Sequence, residues 1–429
     1  MPDTITSSFI IRNSIGGGLA EFLHVITADQ LVQLLGRFSR LSAESVSLDA
    51  SLDRILSEDI LAGEDLPEGA RSTVDGYAVR AEDTFGASDS IPAFLAVVSA
   101  VTMGTLPEFE ILSGQAAPIP TGGFLPRCAD AVVMVEYTNQ AGAGNIEVTR
   151  PVTVKTNVLE KGEDAKSGEI LLPKGKRLRA QELGFLAALG ITEVAAYRKP
   201  RVAVISSGDE VVPIDCKPGL GQIRDANSHA ISGLVRACGA EPIILDIVPD
   251  NADMLAETLR SGLALADVVV LSGGSSVGTR DLMVDAVSGL SGVEVLAHGV
   301  AIRPGKPTLL ASQLGKPIIG LPGHPVSALI VAQVFLAPFL LYLQGDILEK
   351  GPVGQRTRAS LATSIHSTIG LEEYIRVRIE ENVRGEVMAH PIFGKSGMIS
   401  TMVKANGIVM IPMNAEGLSR GEVVQVIQY

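Results

Sequence analysis

The stretch of sequence that decides the fold runs from Asp267 to Asp281 and reads DVVVLSGGSSVGTRD. It begins with an apolar run typical of a strand buried on both faces of a parallel sheet. The glycines and serines that follow predict a loop whose backbone N–H groups can approach an anion closely, because glycine has no Cβ. Asp281 would add a carboxylate, and phosphate beside carboxylate is an arrangement that holds Mg²⁺. The stretch therefore predicts a phosphate and metal site.

Strands and helices alternate on both sides of this stretch, from residue 201 to about 345. The predicted strands are 201–205, 242–248, 267–271, 293–297 and 317–320, and the predicted helices are 227–238, 252–263, one after Asp281 and a long one from Val326. Such alternation predicts a doubly wound, mostly parallel α/β sheet with ligands at the carboxyl ends of its strands. Short runs rich in β-formers predict a small β domain between about 75 and 160 and a second one over 350–429.

Composition excludes several classes of protein. The formal net charge of −13 argues against a nucleic-acid or anionic-membrane partner. The longest apolar run, Val331 to Leu343, is shorter than the roughly 20 residues of a membrane span, so we expect a buried helix. Three scattered cysteines and no signal-peptide pattern indicate reduced thiols, no structural zinc and a cytoplasmic location.

Further polar loops follow the other predicted strands. They are 206–210, 223–227, Asp250, 303–307 and 321–327. Because the carboxyl ends of parallel strands meet at one edge, we expect these loops to combine acids, glycine N–H groups and two bases on one rim. Asp225 and Asp250 could instead be helix caps, which is the simpler interpretation of each alone. Glu210 and Asp281, beside glycines, favour a functional role.

Familiar catalytic motifs do not account for these loops. The glycine loop lacks the lysine of a P-loop, no GxGxxG follows the first strand, and HExxH is absent. His324 is the one histidine in these loops, and it is better explained as a polar loop residue than as a metal ligand. In the first β domain, segments 73–80, 120–123 and 161–164 could each be a plain turn.

Taken together and in order, the motifs resemble those of the molybdopterin molybdenumtransferase family, to which the C-terminal domain of gephyrin is related. The resemblance covers roughly residues 22–428. It depends on the segments 74–79, 120–122, 162–164, 207–210, 272–281, 304–307 and 321–328. Each segment alone is a weak signal, but the combination is highly specific.

The resemblance implies four domains and a homodimer. They are a split N-terminal linker domain (1–65 with 165–199), an inserted β domain (66–164), an α/β domain (200–346) and a C-terminal β-barrel-like domain (347–429). The implied active cleft joins the α/β domain of one subunit to the insertion of the other. The implied reaction places molybdenum from molybdate on adenylylated molybdopterin with Mg²⁺ and releases AMP, downstream of a molybdopterin adenylyltransferase, itself a candidate partner.

Site residues follow from the resemblance by motif position. The implied catalytic residues are Asp75, Asp164, Glu210, Asp250 and Asp281, of which the last three would also bind Mg²⁺. The implied substrate-binding residues are Thr121, Ser207, Gly208, Asp225, Gly273, Gly274, Ser276, Arg303, Pro304, Lys306, Pro322, Gly323, Ser327, Arg376 and Ser396. Among them, Arg303, Ser327, Arg376 and Ser396 would receive molybdate, a dianion suited to guanidinium and hydroxyl groups.

The sequence departs from the family pattern at several positions. Many members have Lys where Arg303 stands, and another Lys where this chain has Gly299. Where many relatives have Gly-Asn-Pro, this chain has Gly323-His324-Pro325. Where Val-Ser is more usual, it has Ser275-Ser276. Three alternatives therefore stay open: a paralogue specific for tungstate, a non-catalytic pterin-binding scaffold, and a generic Mg²⁺-dependent pyrophosphate hydrolase. The retained acids favour the enzyme.

Overall fold

A computed structural model describes residues 25–273, 282–383 and 385–429. The chain divides into two compact units. One comprises Ser45–Leu52 and Leu56–Ala195, and the other comprises Met1–Glu44, Asp53–Ile55 and Ala196–Tyr429. The boundaries between the four expected domains remain predictions.

Between residues 25 and 199 the structure describes short strands and two α-helices. The helices are α1 (Ala28–Leu35) and α2 (Ala180–Ala188), and the strands are β1 (Ala43–Ser47), β2 (Ile60–Leu61), β3 (Arg71–Ser72), β4 (Gly76–Val79), β5 (Ala93–Val97), β6 (Gln115–Ile119), β7 (Ala131–Met134), β8 (Thr138–Gln140), β9 (Asn145–Val148), β10 (Val158–Leu159), β11 (Ile170–Leu172) and β12 (Glu193–Tyr197). Six of these strands form one sheet in the order β7-β4-β6-β5-β9-β8. Alternate strand residues such as Leu95 and Val133 are buried in its core, so the predicted small β domain is confirmed.

The α/β domain is built on a second six-stranded sheet. Its region contains strands β13 (Arg201–Ser206), β14 (Val211–Val212), β15 (Ile223–Arg224), β16 (Glu241–Ile244), β17 (Val268–Ser272), β18 (Val293–His298), β19 (Ile302–Arg303), β20 (Leu309–Gln313) and β21 (Lys316–Leu321), with helices α3 (Asn227–Ala237), α4 (Ala252–Leu265), α5 (Leu282–Ser288), α6 (Pro325–Val331) and α7 (Ala337–Leu343). The sheet order is β16-β13-β17-β21-β20-β18. Strands β16, β13, β17 and β21 are parallel, whereas β20 is antiparallel to both neighbours.

The apolar run of β17 is explained by burial on both faces of this sheet. Val268 and Val270 face one core with α3 and the long helix, and Val269 and Leu271 face another with α4 and α5. The doubly wound, mostly parallel fold is therefore confirmed. The exception is β20, which sequence analysis missed. It turns into β21 through Leu314 and Gly315, both with positive φ of 50° and 83°, as a tight hairpin requires.

The predicted long buried helix is confirmed and starts one residue earlier than expected. It runs over Pro325–Leu343 with a π-helical segment at Ala332–Leu336 between α6 and α7. Its length and composition would suffice for a membrane span, but 83% of it is buried inside the protein. It therefore serves as the core helix of the α/β domain.

The C-terminal region forms a closed barrel. Its elements are β22 (Arg356–Leu361), β23 (Ile365–His366), β24 (Glu372–Glu381), β25 (Val387–Pro391), α8 (Ser400–Lys404), β26 (Gly407–Ile411), β27 (Gly417–Leu418) and β28 (Val423–Gln428). The order β24-β25-β22-β28-β26 closes because β26 also pairs with β24. The short β19 of the preceding domain adds to β24 in parallel. The expected barrel-like domain is confirmed.

Candidate functional site

The strand-end loops share one edge of the α/β sheet, here called the rim (loops 206–210, 223–227, 248–250, 299–308 and 321–327). The parallel register places the ends of β13, β17 and β21 side by side. Val248 bridges to Ser207, which brings the Asp250 loop to the same edge. Because β18 is antiparallel to β20, its outgoing loop also opens there. The predicted grouping of these loops is therefore observed.

Glycines allow the rim backbones to approach one another closely. Gly273 has φ +118°, and a Cβ there would collide with the Ser207 carbonyl. Gly208 has φ +148°, and a Cβ there would come within 2.8 Å of Glu210 Oε2. A Cβ on Gly323 would contact Gly273 Cα at 3.5 Å. Glycine at 273 and 208 therefore lets the end of β17 pack against Ser207 and lets the Glu210 side chain lie close to the backbone.

Ser207 brings a buried hydroxyl to this space. Its N–H donates to the Ser272 carbonyl at 2.9 Å, which joins the ends of β13 and β17. Its Oγ is buried, and no described residue makes a hydrogen bond to it. A buried hydroxyl without a partner is costly, so a ligand that bonded to it would recover free energy.

Three carboxylates crowd one side of the rim. Asp250 N–H donates to Asp209 Oδ1 at 3.0 Å. Burial, together with repulsion from Asp209 and Glu210, raises the pKa of the Asp250 carboxyl above its ordinary value. Carboxylate oxygens are the ligands that Mg²⁺ prefers, so Glu210 and Asp250 are ligands of the right chemical type for such an ion. No group of three acidic, His or Cys residues close enough to hold a metal occurs within the described ranges.

Of the two residues predicted as possible helix caps, Asp225 makes a capping interaction and Asp250 does not. Asp225 is buried, and its Oδ1 accepts from Ser206 Oγ at 2.9 Å and from Ser228 N–H at 3.0 Å. It therefore makes the capping interaction that the sequence also allowed. Asp250 does not cap α4, because Asn251 Oδ1 accepts the N–H groups of that helix. The strand β16 ends at Ile244, so Asp250 lies in a loop beyond it.

The loop after β18 carries two basic residues. Arg303 is exposed, and its Nε lies 3.6 Å from Oε1 of Glu373 on β24. Lys306 O accepts the Val300 N–H at 2.9 Å, and a cis peptide joins Arg303 to Pro304. Gly299 has φ +102°. That conformation disfavours any residue with a side chain.

The barrel carries two further predicted residues, Ser396 and Arg376, and the first of them contacts α6. The Val326 N–H donates to the Ser396 carbonyl at 3.0 Å, beside the buried Ser327. Arg376 Nη2 donates to the Gly394 carbonyl at 3.3 Å, whereas its buried Nε has no partner among the described residues. Burial lowers the pKa of Arg376. Pro322 is buried just ahead of this helix.

Asp75 and Thr121 form a pair in the other unit. Asp75 Oδ1 accepts the Thr121 N–H at 2.7 Å and the Thr121 hydroxyl at 2.9 Å. These two bonds hold the pKa of Asp75 below its ordinary value. Asp75 is thus already supplied with donors by its own domain.

Asp164 lies beside a cavity of about 490 Å³ in the same unit. The cavity is also lined by Asp65, Glu68 and Arg71. Arg71 lies over the Phe124 ring with its guanidinium carbon 3.9 Å from the ring centroid, and its Nη1 donates to the Gly122 carbonyl at 3.0 Å. Asp164 therefore shares a cavity with Arg71, which in turn bonds to the turn after Thr121. No hydrogen bond is found between Asp164 and either Asp75 or Thr121.

Three predicted residues, Gly274, Ser276 and Asp281, lie outside the described residues. Sequence reasoning also overlooked side chains that the structure brings to the site. Asp209 contributes to the acidic crowding, and Asn227 connects two strand ends. Glu373 pairs with Arg303 across the α/β–barrel junction. Asn227 was within reach of sequence analysis, because it opens the helix after Asp225, whereas the role of Glu373 depends on a distant strand pairing.

Comparisons with known proteins cover almost the whole chain. Residues 23–190 match the MoeA N-terminal region (domain I and II), residues 203–342 the probable molybdopterin binding domain, and residues 358–429 the MoeA C-terminal region (domain IV). The chain is 36% identical to the molybdopterin molybdenumtransferase of a Nostoc species over 94% of this chain and 92% of the relative. It is 30% identical to that of Bacillus subtilis over 94% of each chain.

Solved structures agree with the sequence relatives. The crystal structure of a molybdopterin biosynthesis MoeA protein from Pyrococcus horikosii superposes with a TM-score of 0.80 at 36% identity, covering 94% of this chain and 99% of that one. All three regions of the fold are thus matched in a single relative. The chain therefore belongs to the molybdopterin molybdenumtransferase family of molybdenum cofactor biosynthesis enzymes.

Proposed function

We propose that this protein inserts molybdenum from molybdate into adenylylated molybdopterin with release of AMP, and that the reaction depends on Mg²⁺. The observation that carries the proposal is the rim itself. Glu210 and Asp250 lie in one acidic cluster beside the unpartnered hydroxyl of Ser207 and the side-chain-free backbone at Gly208 and Gly273. Anion donors next to crowded carboxylates suit a pyrophosphate that is bound with a divalent cation.

The residues on the rim would have two roles, binding Mg²⁺ and binding phosphate. Glu210 and Asp250, with Asp281, would hold Mg²⁺, which when bound supplies positive charge at the pyrophosphate. Ser207, with the loop N–H groups from Gly273 onward, would donate to phosphate oxygens. The Ser207 hydroxyl is buried at the end of β13, so it would need little reorganisation when the bond to phosphorus breaks.

The oxyanion would be held by cations and hydroxyls near the barrel. Arg376 offers a buried Nε without a partner among the described residues, and Ser327 and Ser396 lie on neighbouring segments. Arg303 is exposed, and a ligand anion would compete with Glu373 for its guanidinium. A guanidinium with hydroxyls suits a tetrahedral dianion such as molybdate.

Other parts of the proposal come from the family alone. We propose a homodimer in the cytoplasm, with Asp75, Thr121 and Asp164 of the inserted domain completing the cleft. We propose a pterin nucleotide and molybdate as small-molecule partners, an adenylyltransferase upstream, and no nucleic-acid or membrane partner. The net charge of −13 supports the last point.

The test is to incubate the purified protein with adenylylated molybdopterin, Mg²⁺ and either molybdate or tungstate. AMP release that requires molybdate is the expected result. A requirement for tungstate instead would indicate the tungstate paralogue. Tight pterin binding without AMP release would indicate a scaffold, and release without any oxyanion would indicate a pyrophosphate hydrolase. A chelator should abolish release, and added Mg²⁺ should restore it.

A further inference from the structure

A short loop of the barrel contacts both Arg376 and the start of α6. The loop, residues 394–397, lies between β25 and α8. Its Gly394 carbonyl accepts from Arg376 Nη2 at 3.3 Å, and its Ser396 carbonyl accepts the Val326 N–H at 3.0 Å. Because consecutive Cα atoms are about 3.8 Å apart, Gly394 and Ser396 are separated by at most about 8 Å. The guanidinium and the start of the helix are therefore neighbours.

His324 lies beside the same loop, one residue before α6. A Cβ on Gly397 would lie 3.9 Å from His324 Cδ2, so the imidazole is next to the loop. The side chain is exposed and does not cap the helix. Across the described ranges, no hydrogen bond or ion pair involves the imidazole. Its ring nitrogens are therefore available to a ligand that binds at this loop.

Among the described residues, the charged groups around His324 are mostly basic. The barrel contributes Arg376 and Lys395, and Lys395 is exposed and forms no ion pair within the described ranges. The start of α3, which donates a hydrogen bond to the residue before His324, contributes one acid, Asp225. Its buried Oδ1 already accepts two hydrogen bonds. The loop that carries Arg303 packs further along the core helix. The surroundings of His324 therefore suit an anion.

The charge of the oxyanion gives His324 a role. Molybdate carries two negative charges, and an anion that leaves bulk water needs charge of opposite sign around it. Arg303 is already shared with a carboxylate, since its Nε lies 3.6 Å from Glu373 Oε1. Arg376 supplies one charge, and its buried Nε has no partner among the described residues. A protonated histidine would supply a second charge together with an N–H donor.

We infer that His324 is a further binding residue for the oxyanion, and that its protonated imidazole donates a hydrogen bond to it beside Arg376. This inference rests on the proposed function, because the oxyanion is the molybdate of that reaction. A bound dianion favours the protonated form of a histidine next to it. Affinity for molybdate therefore rises as the pH falls through the range in which histidine gains a proton, and binding takes up part of a proton.

The experiment titrates the full chain with molybdate alone, by calorimetry, at about pH 8 and about pH 6.5. His324→Asn keeps a polar side chain without a titrating group, and His366→Asn is the matched control at an exposed histidine on β23. We expect the wild type and the control to bind about fourfold more tightly at the lower pH, and His324→Asn to bind equally at both. Buffers of different ionisation enthalpy should reveal proton uptake in the wild type and none in His324→Asn.

Lys395→Gln separates the effect of the other cation near the loop. A lysine stays charged across this pH range, so we expect any loss of affinity in Lys395→Gln to be the same at both pH values. The KM for molybdate in AMP release should show the same pattern in all variants, which extends the test to binding that requires the pterin nucleotide. His324→Gln gives the same test if the asparagine variant does not fold.

Two results would overturn the inference alone, with AMP release still requiring molybdate. One is a folded His324→Asn protein that keeps the pH dependence and proton uptake of the wild type. The other is a wild-type protein in which both are absent. A wild-type protein that neither binds molybdate nor releases AMP in response to it would overturn the proposed function and this inference with it.

Discussion

Asp250 on the rim and Asp75 in the inserted domain are both predicted catalytic carboxylates, and their surroundings move their pKa values in opposite directions. Partial desolvation of the Asp250 carboxyl, together with the like charges of Asp209 and Glu210, raises its pKa. Asp75 accepts two hydrogen bonds from Thr121, which lowers its pKa. The first arrangement costs free energy until a cation arrives, whereas the second is complete in the protein alone. The contrast supports our proposal that Asp250 is a metal ligand, whereas Asp75 is an acceptor already satisfied by Thr121.

The largest loss of activity is expected when an acidic residue of the rim, Asp250 or Glu210, is replaced. We expect Asp250→Asn and Glu210→Gln each to lower Mg²⁺-dependent AMP release by about 100-fold, because a carboxylate ligand is lost. Raising the Mg²⁺ concentration should recover part of the rate. Asp246→Asn, an exposed acid on the same connection, is the control and should behave like wild type. Full activity of Asp250→Asn at low Mg²⁺ would contradict the metal assignment.

A smaller effect is expected at the paired carboxylate. Thr121→Ala removes the hydroxyl bond to Asp75 but keeps the N–H bond. We expect AMP release to fall about tenfold, without rescue by added Mg²⁺. Thr138→Ala, which loses a hydroxyl bond to the Val135 carbonyl in the same sheet, serves as the control. Rescue of Thr121→Ala by Mg²⁺ would show that the two carboxylates do not differ as described.

A charge can be added to the rim at Gly299, where the family pattern led us to expect lysine. We expect Gly299→Lys to lower the free energy of unfolding by about 1–2 kcal/mol, because the backbone there has a positive φ. Gly315→Lys, at φ +83° in open space, should cost a similar amount. Denaturant titration of both variants measures this. A Gly299→Lys protein as stable as wild type would mean that the backbone readily adopts another conformation.

The smallest expected effect concerns stability without metal. Because the folded-state pKa of Asp250 is raised, the folded protein binds a proton more readily than the unfolded chain, and stability falls as pH rises through that range. Asp250→Asn should therefore stabilise the metal-free protein slightly at neutral pH, and the gain should vanish as the pH falls toward the range where Asp250 is protonated. Thermal unfolding across pH with a chelator present tests this. A destabilised Asp250→Asn protein at neutral pH would contradict it.

Much of the fold could be predicted from local patterns. Alternate residues of β17 lie in different hydrophobic cores, so both faces of the strand are buried. In the sequence this gives an uninterrupted run of apolar residues, which is easy to recognise. Strand β20 was not predicted, because its antiparallel direction depends on the two-residue turn at Leu314 and Gly315. The sequence before that turn also suits a loop. Likewise, the closure of the barrel depends on pairing between Glu373 and Ile411, which no local pattern contains.

The site was predictable as a set of loops but less so in its interactions. The carboxyl-end rule grouped Glu210, Asp250 and Arg303 correctly on one edge. It could not reveal that Asn251, one residue later, takes over the capping of α4 and leaves Asp250 free for another role. Nor could it reveal the pair between Arg303 and Glu373, since the two residues belong to different domains of the fold.

The core helix Pro325–Leu343 affects how the protein denatures on heating. Its mean hydropathy of 2.2 is tolerated because most of its surface is covered by the α/β sheet and α3. Heating that opens this domain exposes a 19-residue apolar segment at once. Such segments associate between molecules faster than they find their own sheet again. Thermal denaturation should therefore be irreversible and depend on scan rate and protein concentration, so heat tolerance in this protein is governed by the rate of opening.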